Sequence, residues 1–180
     1  MLLIALAGCV KSPTVYEHWM DETYKGKQYE KILIIGVADK VTGRSLFEGE
    51  VARQLQSRGV EAVRSYTILP DNEMLTKEII LNVVREFNID GVLFTFVADR
   101  RNKTVYYQNA DLYTYYNNVM NVGATASYDI EVLSLITNFY DVKSEGRIWT
   151  MDYDFERRGV KTFNLAIKFV IDTLQKDGLI

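Results

Sequence analysis

The sequence of 180 residues contains one cysteine, Cys9, one histidine, His18, and two prolines. One cysteine permits neither an intramolecular disulfide nor a cysteine-rich zinc site. One histidine removes most of the metal and acid-base chemistry that depends on imidazole. No run approaches the roughly 20 apolar residues that a membrane-spanning helix needs. These absences leave the N-terminal segment as the candidate for membrane association.

The charges are nearly balanced, with 24 acidic and 21 basic residues and a net charge of -3. A chain that binds phosphate backbones normally carries a concentrated positive charge, so we expect no nucleic-acid partner. A hydrophobic content of 48% in this length is enough for one domain with a substantial core.

The N-terminal residues resemble the end of a bacterial lipoprotein signal. Met1 to Gly8 are uncharged and mostly apolar, and Leu6-Ala7-Gly8-Cys9 resembles a lipobox. The resemblance implies that residues 1–8 are a signal remnant. It also implies that Cys9 carries acyl chains, palmitate among them, which anchor the chain to the membrane without spanning it. Val10, in place of aspartate, implies the outer membrane, facing the periplasm. The alternative is a free thiol in a chance apolar segment.

The region 9–30 is polar with scattered aromatic residues and no sustained period, which predicts a tether after the lipidated cysteine. Residues 31–180 then follow the pattern of a single α/β domain. The pattern predicts strands at Ile32 to Val37, Val60 to Tyr66 and Val92 to Ala98, and helices at Gly43 to Arg58 and after the Pro70-Asp71-Asn72 turn, which offers an N-cap. Gly59 is placed to end the first helix.

The second half predicts antiparallel strands. Tyr128 to Val142 is a long strand whose apolar phase slips near Val132-Leu133, as a β-bulge would cause. A hairpin connection at Asp141 to Gly146 leads to an alternating strand, and a last helix runs from Val160 to Gly178. The fold class is therefore α/β: one domain of two or three layers with a mixed sheet, a β-α-β-α-β start, an antiparallel hairpin and a C-terminal helix.

Two groups of residues invite a chemical interpretation. The loop from Gly36 to Gly43 follows the first strand, where α/β proteins hold nucleotides, but it lacks the glycine spacing of both phosphate-binding motifs. The carboxylates of Asp129 with Glu131 and of Asp152 with Asp154 each share a strand face, as a hydrolase or a cation site would need. A solvated strand face explains these pairs better, so we expect no catalytic residue, metal or cofactor.

A tyrosine-rich segment, residues 105–127, separates two predicted strands and is longer than connections in compact domains usually are. Tyrosines combined with amide side chains are typical of adaptable binding surfaces. The candidate partner-binding residues are Tyr106, Tyr107, Tyr113, Tyr115 and Tyr116. The alternative is an irregular hairpin extension whose tyrosines cover the sheet.

Several stretches together resemble a family. They are KILIIGVAD at 31 to 39, RGVEAV at 58 to 63, IDGVLFT at 89 to 95, LITNFYDVKSEGRIWT at 135 to 150 and the terminal KDGLI. They are similar to a group of bacterial envelope lipoproteins whose domain resembles the amino-terminal domain of TolB and the periplasmic domain of the curli-secretion channel lipoprotein. The resemblance implies a lipid-anchored α/β domain with no established activity and no catalytic residues to assign.

The sequence therefore predicts a non-catalytic, lipid-anchored envelope module that binds a protein partner or self-associates. Two alternatives remain open at this point. One is a carboxylate-dependent hydrolase or divalent-cation binder, and the other is a receptor for a glycan or small ligand that uses the tyrosine-rich segment.

We expect protein expressed with its complete signal to carry acyl chains on Cys9 and to fractionate with membranes, because each buried methylene contributes about 0.8 kcal/mol. Intact-mass spectrometry of the mature product measures the modification directly. The Cys9→Ser variant is the control and should lack the added mass. Recovery of the wild-type protein from the aqueous fraction with an unmodified thiol would contradict the lipoprotein interpretation.

Overall fold

The computed structural model describes residues 12–37, 41–69, 75–106 and 127–180. Within these ranges the chain forms one six-stranded sheet and three α-helices. The strands are β1 (Thr14–Met20), β2 (Lys31–Val37), β3 (Glu61–Arg64), β4 (Gly91–Tyr106), β5 (Ser127–Asp141) and β6 (Gly146–Arg157), and the helices are α1 (Val41–Gln56), α2 (Lys77–Glu86) and α3 (Val160–Lys176). None of these helices has the length and apolar content needed to cross a bilayer.

The sheet has the strand order β1-β6-β5-β4-β2-β3. β2 pairs in parallel with β3 and β4, whereas β4, β5, β6 and β1 pair antiparallel in turn. The predicted mixed sheet, with a parallel β-α-β-α-β start followed by an antiparallel hairpin and a C-terminal helix, is confirmed.

Helices cover both faces of the sheet, so the fold has three layers. Ile32 and Ile34 of β2 pack with residues of α1 and α3 in one core cluster, while Leu33 and Ile35 pack with α2 in another. The alternation follows from the period of two in a strand. It explains why β2 is a continuous apolar run: both of its faces are buried.

The first predicted helix agrees closely with α1. Val51 and Leu55, two residues of its apolar stripe, are buried in the core. Gly59 has a φ of +85°, which a residue with a side chain adopts only at a cost. The glycine therefore ends the helix as the sequence predicts.

The predicted N-cap of α2 was placed too early. Residues 70–72 lie outside the described ranges, and α2 begins at Lys77 with Thr76 as its N-cap. The Thr76 hydroxyl accepts a hydrogen bond from the backbone N–H of Ile79 at 3.3 Å. A threonine next to a lysine is a weaker sequence signal than Pro-Asp-Asn, which explains the error.

The prediction of a tether over residues 9–30 is wrong for Thr14–Met20, which forms β1 and pairs antiparallel with β6. Six of the seven β1 residues are exposed. An exposed edge strand shows no clear apolar alternation, because most of its side chains remain in contact with solvent. The pairing partner, Gly146–Arg157, lies more than a hundred residues away and gives no local signal.

The strand predicted at Val92 to Ala98 continues much further, to Tyr106. Residues 99–104 are polar, yet they pair with residues 129–134 of β5. The β5 bulge predicted near residues 132–133 is also wrong, because β5 pairs regularly there. Val132 and Leu133 are both buried, on opposite faces, so the apolar phase slips without a bulge. The pairings of β5 shift register elsewhere, between Val97 and Asp99 of β4 and between Phe139 and Tyr140 of β5 itself.

Glu48 of α1 is fully buried and holds three elements together. Its Oε1 accepts hydrogen bonds from Gly36 N at 3.0 Å, Arg44 Nε at 3.0 Å and Ser65 Oγ at 2.6 Å. Its Oε2 accepts a hydrogen bond from Tyr66 N at 2.9 Å. The carboxylate therefore fastens α1 to the end of β2 and to the turn after β3. A buried carboxylate is tolerated only with such compensation.

Asp141, at the end of β5, fastens the segment before β2 in a similar way. Its Oδ1 accepts hydrogen bonds from the Tyr29 hydroxyl at 2.9 Å and from Lys27, and its Oδ2 accepts one from Ser144 N at 2.8 Å. Burial alone would raise the pKa of Asp141. The hydrogen bonds from Lys27, Ser144 and Tyr29 outweigh burial and lower that pKa from 3.8 to about 2.

We expect Glu48→Gln to lower the free energy of unfolding by about 3 to 5 kcal/mol, because it leaves the largely buried Arg44 guanidinium without its charge partner. Urea denaturation followed by circular dichroism measures the loss. Glu50→Gln on the same helix is the matched control. The Arg53 partner of Glu50 is largely exposed, so the control should lose about 1 kcal/mol or less. Equal losses in the two variants would contradict the role given to Glu48.

We expect Asp141 to stabilise the fold above pH 4 and to lose this contribution as the pH falls to 2. The folded-state pKa lies below the unfolded value, so the unfolded chain takes up the proton first, and the contribution is about 2 kcal/mol. The stability difference between wild type and Asp141→Asn should therefore shrink over this range in acid titrations of urea unfolding. The control is Asp99→Asn, which removes a carboxyl from the exposed surface and should change the free energy of unfolding by about 0.5 kcal/mol or less. A stability difference between wild type and Asp141→Asn that does not change with pH would refute the role given to Asp141.

Candidate functional site

Most of the predicted site residues lie outside the described part of the chain. These are Cys9, Tyr107, Tyr113, Tyr115 and Tyr116. Tyr106 is the last residue of β4 and pairs with Ser127 of β5, so the tyrosine-rich segment connects the ends of the longest hairpin. Its partner-binding role stays a prediction.

The structure does not bring together the two predicted carboxylate pairs, Asp129 with Glu131 and Asp152 with Asp154. Leu133 and Phe155 pair across β5 and β6 and lie in the core beneath α1 and α3. Because neighbouring residues of a strand alternate between faces, Glu131 shares this face and Asp154 lies on the other. A hydrolase or cation site built from all four carboxylates would need them to converge.

Three of these carboxylates have partners that explain them structurally. Glu131 Oε2 lies 2.7 Å from Arg157 Nε, and Asp129 Oδ1 accepts a hydrogen bond from the Thr104 hydroxyl at 2.7 Å. Burial would raise the pKa of Asp154, but hydrogen bonds from Ser134, Tyr16 and Arg101 lower it. Across the described ranges, no cluster of three or more His, Cys, Asp or Glu side chains could hold a metal ion.

His18 is held in place, although it lies in the region 9–30 that the sequence predicts as a tether. Its Nε2 is 2.8 Å from Asp177 Oδ2, and its ring meets Trp149 edge-on with the centroids 5.6 Å apart. The same carboxylate oxygen accepts a hydrogen bond from Trp149 Nε1 at 2.7 Å. This group joins β1 to the C-terminal end of α3.

The edge strand β1 forms the first candidate surface. It pairs with β6 on one side, and in the described part of the chain no strand covers its other side. Tyr16 is 62% exposed and Trp19 is 44% exposed, with Val15 also exposed. The Arg147 guanidinium lies 6.0 Å from the centre of the Trp19 ring. An open edge that carries apolar side chains and no lysine or proline favours pairing with another chain.

A cleft between two helices and the sheet forms the second candidate surface. The helices α1 and α3 lie side by side and run in the same direction: Phe47 faces Phe163 with ring centroids 6.5 Å apart, and Gln54 Nε2 donates a hydrogen bond to the Asn164 carbonyl at 3.1 Å. Their N-terminal ends and the C-terminal ends of β2 and the apolar part of β4 surround the cleft. Its volume is about 480 Å³.

The cleft lies where the topology of α/β proteins places ligand sites, beyond the carboxyl end of β2. Gly36 and Gly43, the ends of the loop that the sequence excluded as a nucleotide site, both line it. The position of that loop, directly after the first predicted strand, was therefore the sequence signal that could have indicated the cleft. The remaining lining residues come from β4, β5, β6 and α3, which only the folded sheet brings together.

This architecture is a three-layer α/β domain in which a parallel unit continues into an antiparallel hairpin. No protein-family model matches the sequence, and no curated protein matches it significantly. The comparisons that succeed are with solved structures.

The PelC dodecamer from Paraburkholderia phytofirmans shares this fold, with a TM-score of 0.51 and 12% identity over 93% of this chain and 99% of PelC. A single-substitution variant of that dodecamer gives a TM-score of 0.52 and 16% identity over 91% and 98% of the two chains. Lipoprotein GNA1162 from Neisseria meningitidis gives a TM-score of 0.46 and 14% identity over 81% and 98%. The likeness to PelC shows a common fold. The resemblance to the TolB domain stays a prediction.

Proposed function

We propose that this protein is a non-catalytic module of the bacterial cell envelope, anchored by a lipid on Cys9, that faces the periplasm and assembles with copies of itself. The observation that carries the proposal is the open edge strand β1 with its exposed aromatic side chains. Such edges are usually short, charged or covered in proteins that stay monomeric.

The structural neighbours support assembly as the role of the domain. PelC is a dodecamer and matches this chain along nearly its whole length. A shared fold is compatible with a shared mode of assembly, although the contacts are set by each sequence.

The placement of the carboxylates supports a binding role over a hydrolytic one. Glu131 and Asp154 lie on opposite faces and are engaged by Arg157 and Arg101. Glu131 and Arg157 lie opposite each other on the paired strands β5 and β6, and Arg101 of β4 reaches across β5 to Asp154 of β6. Such ion pairs between strands stabilise the sheet. We therefore assign these residues to the fold and the edge strand to the function.

We expect the full-length lipidated protein, extracted in mild detergent, to form an oligomer in native mass spectrometry, and charges on β1 to dissociate it. The test variant combines Tyr16→Lys, beside the Asp154 carboxylate, with Trp19→Glu, beside Arg147. Each new charge meets an opposite charge in its own chain, so the monomer should fold while the edge rejects a partner.

Leu46→Glu is the matched control, because it places a charge on an exposed apolar residue of α1 that is remote from β1. This control should keep the wild-type mass distribution. A monomeric wild-type protein would refute self-association. An oligomer that survives the double substitution would refute the assignment of β1 as its interface.

A further inference from the structure

The cleft between α1, α3 and the sheet has the lining of a site for an apolar ligand. Its volume of about 480 Å³ falls within the range of roughly 300 to 1,000 Å³ typical of ligand pockets. Its walls are mostly aliphatic and aromatic, and the largest side chains come from both helices and three strands: Phe47, Phe96, Leu133, Leu135, Phe155 and Phe163.

The mouth of the cleft exposes more apolar surface than a solvated loop region normally does. Val160 at the start of α3 is 76% exposed, and Leu46 in the first half of α1 is 67% exposed. Val37, where β2 ends, is also exposed. Three large apolar side chains around one opening form a patch that a ligand or partner would cover.

The charged groups in the lining are all of one sign. Arg44, Arg100 and Arg157 line the cleft, whereas no aspartate or glutamate of the described residues does so. Arg157 is 58% exposed in its side chain and lies at the mouth, so it can reach a bound group without leaving the protein surface. Arg44 is held deeper by Glu48. Glu48 and Glu131 lie behind the lining and pair with Arg44 and with Arg157 Nε. The positive group that remains open to a ligand is therefore the terminal part of the exposed Arg157 guanidinium, which suits a negatively charged head.

The two parallel helices add to this potential. Both α1 and α3 point their N-terminal ends towards the cleft, and neither has an acidic residue in its first turn. No side chain caps the N-terminus of α3, which follows Gly159. The partial positive charges of the two helix ends thus reinforce the arginines.

We propose that this cleft binds a single-chain anionic amphiphile: an acyl tail among the phenylalanines and leucines, with a carboxylate head at the mouth beside Arg157. A peptide fits the lining poorly, because its backbone amides would face hydrocarbon walls that offer few acceptors. A neutral chain would make no use of the terminal nitrogens of the exposed Arg157 guanidinium, which contacts Glu131 through Nε. This site is separate from β1 and does not depend on self-association.

The binding test is isothermal titration calorimetry of the full-length protein, lipidated or as Cys9→Ser, with decanoate below its micelle concentration. Decyl phosphate, decyl maltoside and decyltrimethylammonium serve as probes with the same tail and different heads. We expect one site per chain, decanoate binding at least about tenfold tighter than the neutral and cationic probes, and weaker binding at high salt. Tighter binding of decyl phosphate would instead assign the site to a phosphate head.

The location is tested with variants at exposed positions of the mouth. Val160→Glu should weaken decanoate binding at least about tenfold, because it places a carboxylate beside the head. Val160→Gln introduces a side chain with the shape of glutamate and no charge, so this variant should weaken decanoate binding less. Arg157→Gln should weaken binding by about three- to tenfold, since the exposed guanidinium is partly screened.

The edge substitutions Tyr16→Lys and Trp19→Glu should leave decanoate binding unchanged, which separates this site from the proposed assembly surface. Circular dichroism of each variant verifies its folding. Equal affinity for all four head groups would overturn the anionic assignment, and so would indifference of the titration to Val160→Glu. Absence of decanoate binding to the folded wild-type protein would overturn the proposal altogether.

Discussion

A single buried carboxylate determines how the helical layer meets the sheet. Glu48 lies on α1, yet its donors include Gly36 at the end of β2 and Ser65 and Tyr66 in the turn after β3. Because a fully buried charge cannot exchange these donors for water, α1 has one register against the parallel strands. The Arg44 guanidinium, bound to the same carboxylate, is thereby fixed in the wall of the cleft. Stability and the candidate ligand site thus share one network.

The two candidate surfaces follow from the topology of the mixed sheet. The β-α-β start places the beginning of α1 beside the carboxyl ends of parallel strands, and the C-terminal helix α3 returns alongside α1 in the same direction. That arrangement opens the cleft at one end. The antiparallel half ends in β1, which has no further strand beyond it among the described residues. An open edge therefore lies at the far side of the sheet from β2 and β3.

The elements that could be predicted from the sequence are those whose structure is determined by their own residues. β2 is buried on both faces and reads as an uninterrupted apolar run, and Gly59 is required where the backbone turns left-handed. β1 and the outer part of β4 could not be predicted, because their residues are polar or exposed and their order comes from partners distant in sequence. The cleft was missed for the same reason, because Arg157 and Phe47 line one cleft only after the sheet has formed.

The presence of β1 changes the geometry that follows from an anchor at Cys9. A tether over residues 9–30 would let the domain move widely above the membrane, whereas β1 begins at Thr14, five residues after the cysteine. Five residues span at most about 18 Å when fully extended. The proposed anchor would then keep the edge strand close to the lipid surface. Confinement of many copies to one surface raises their effective concentration, so even a small edge-to-edge contact would suffice for assembly there.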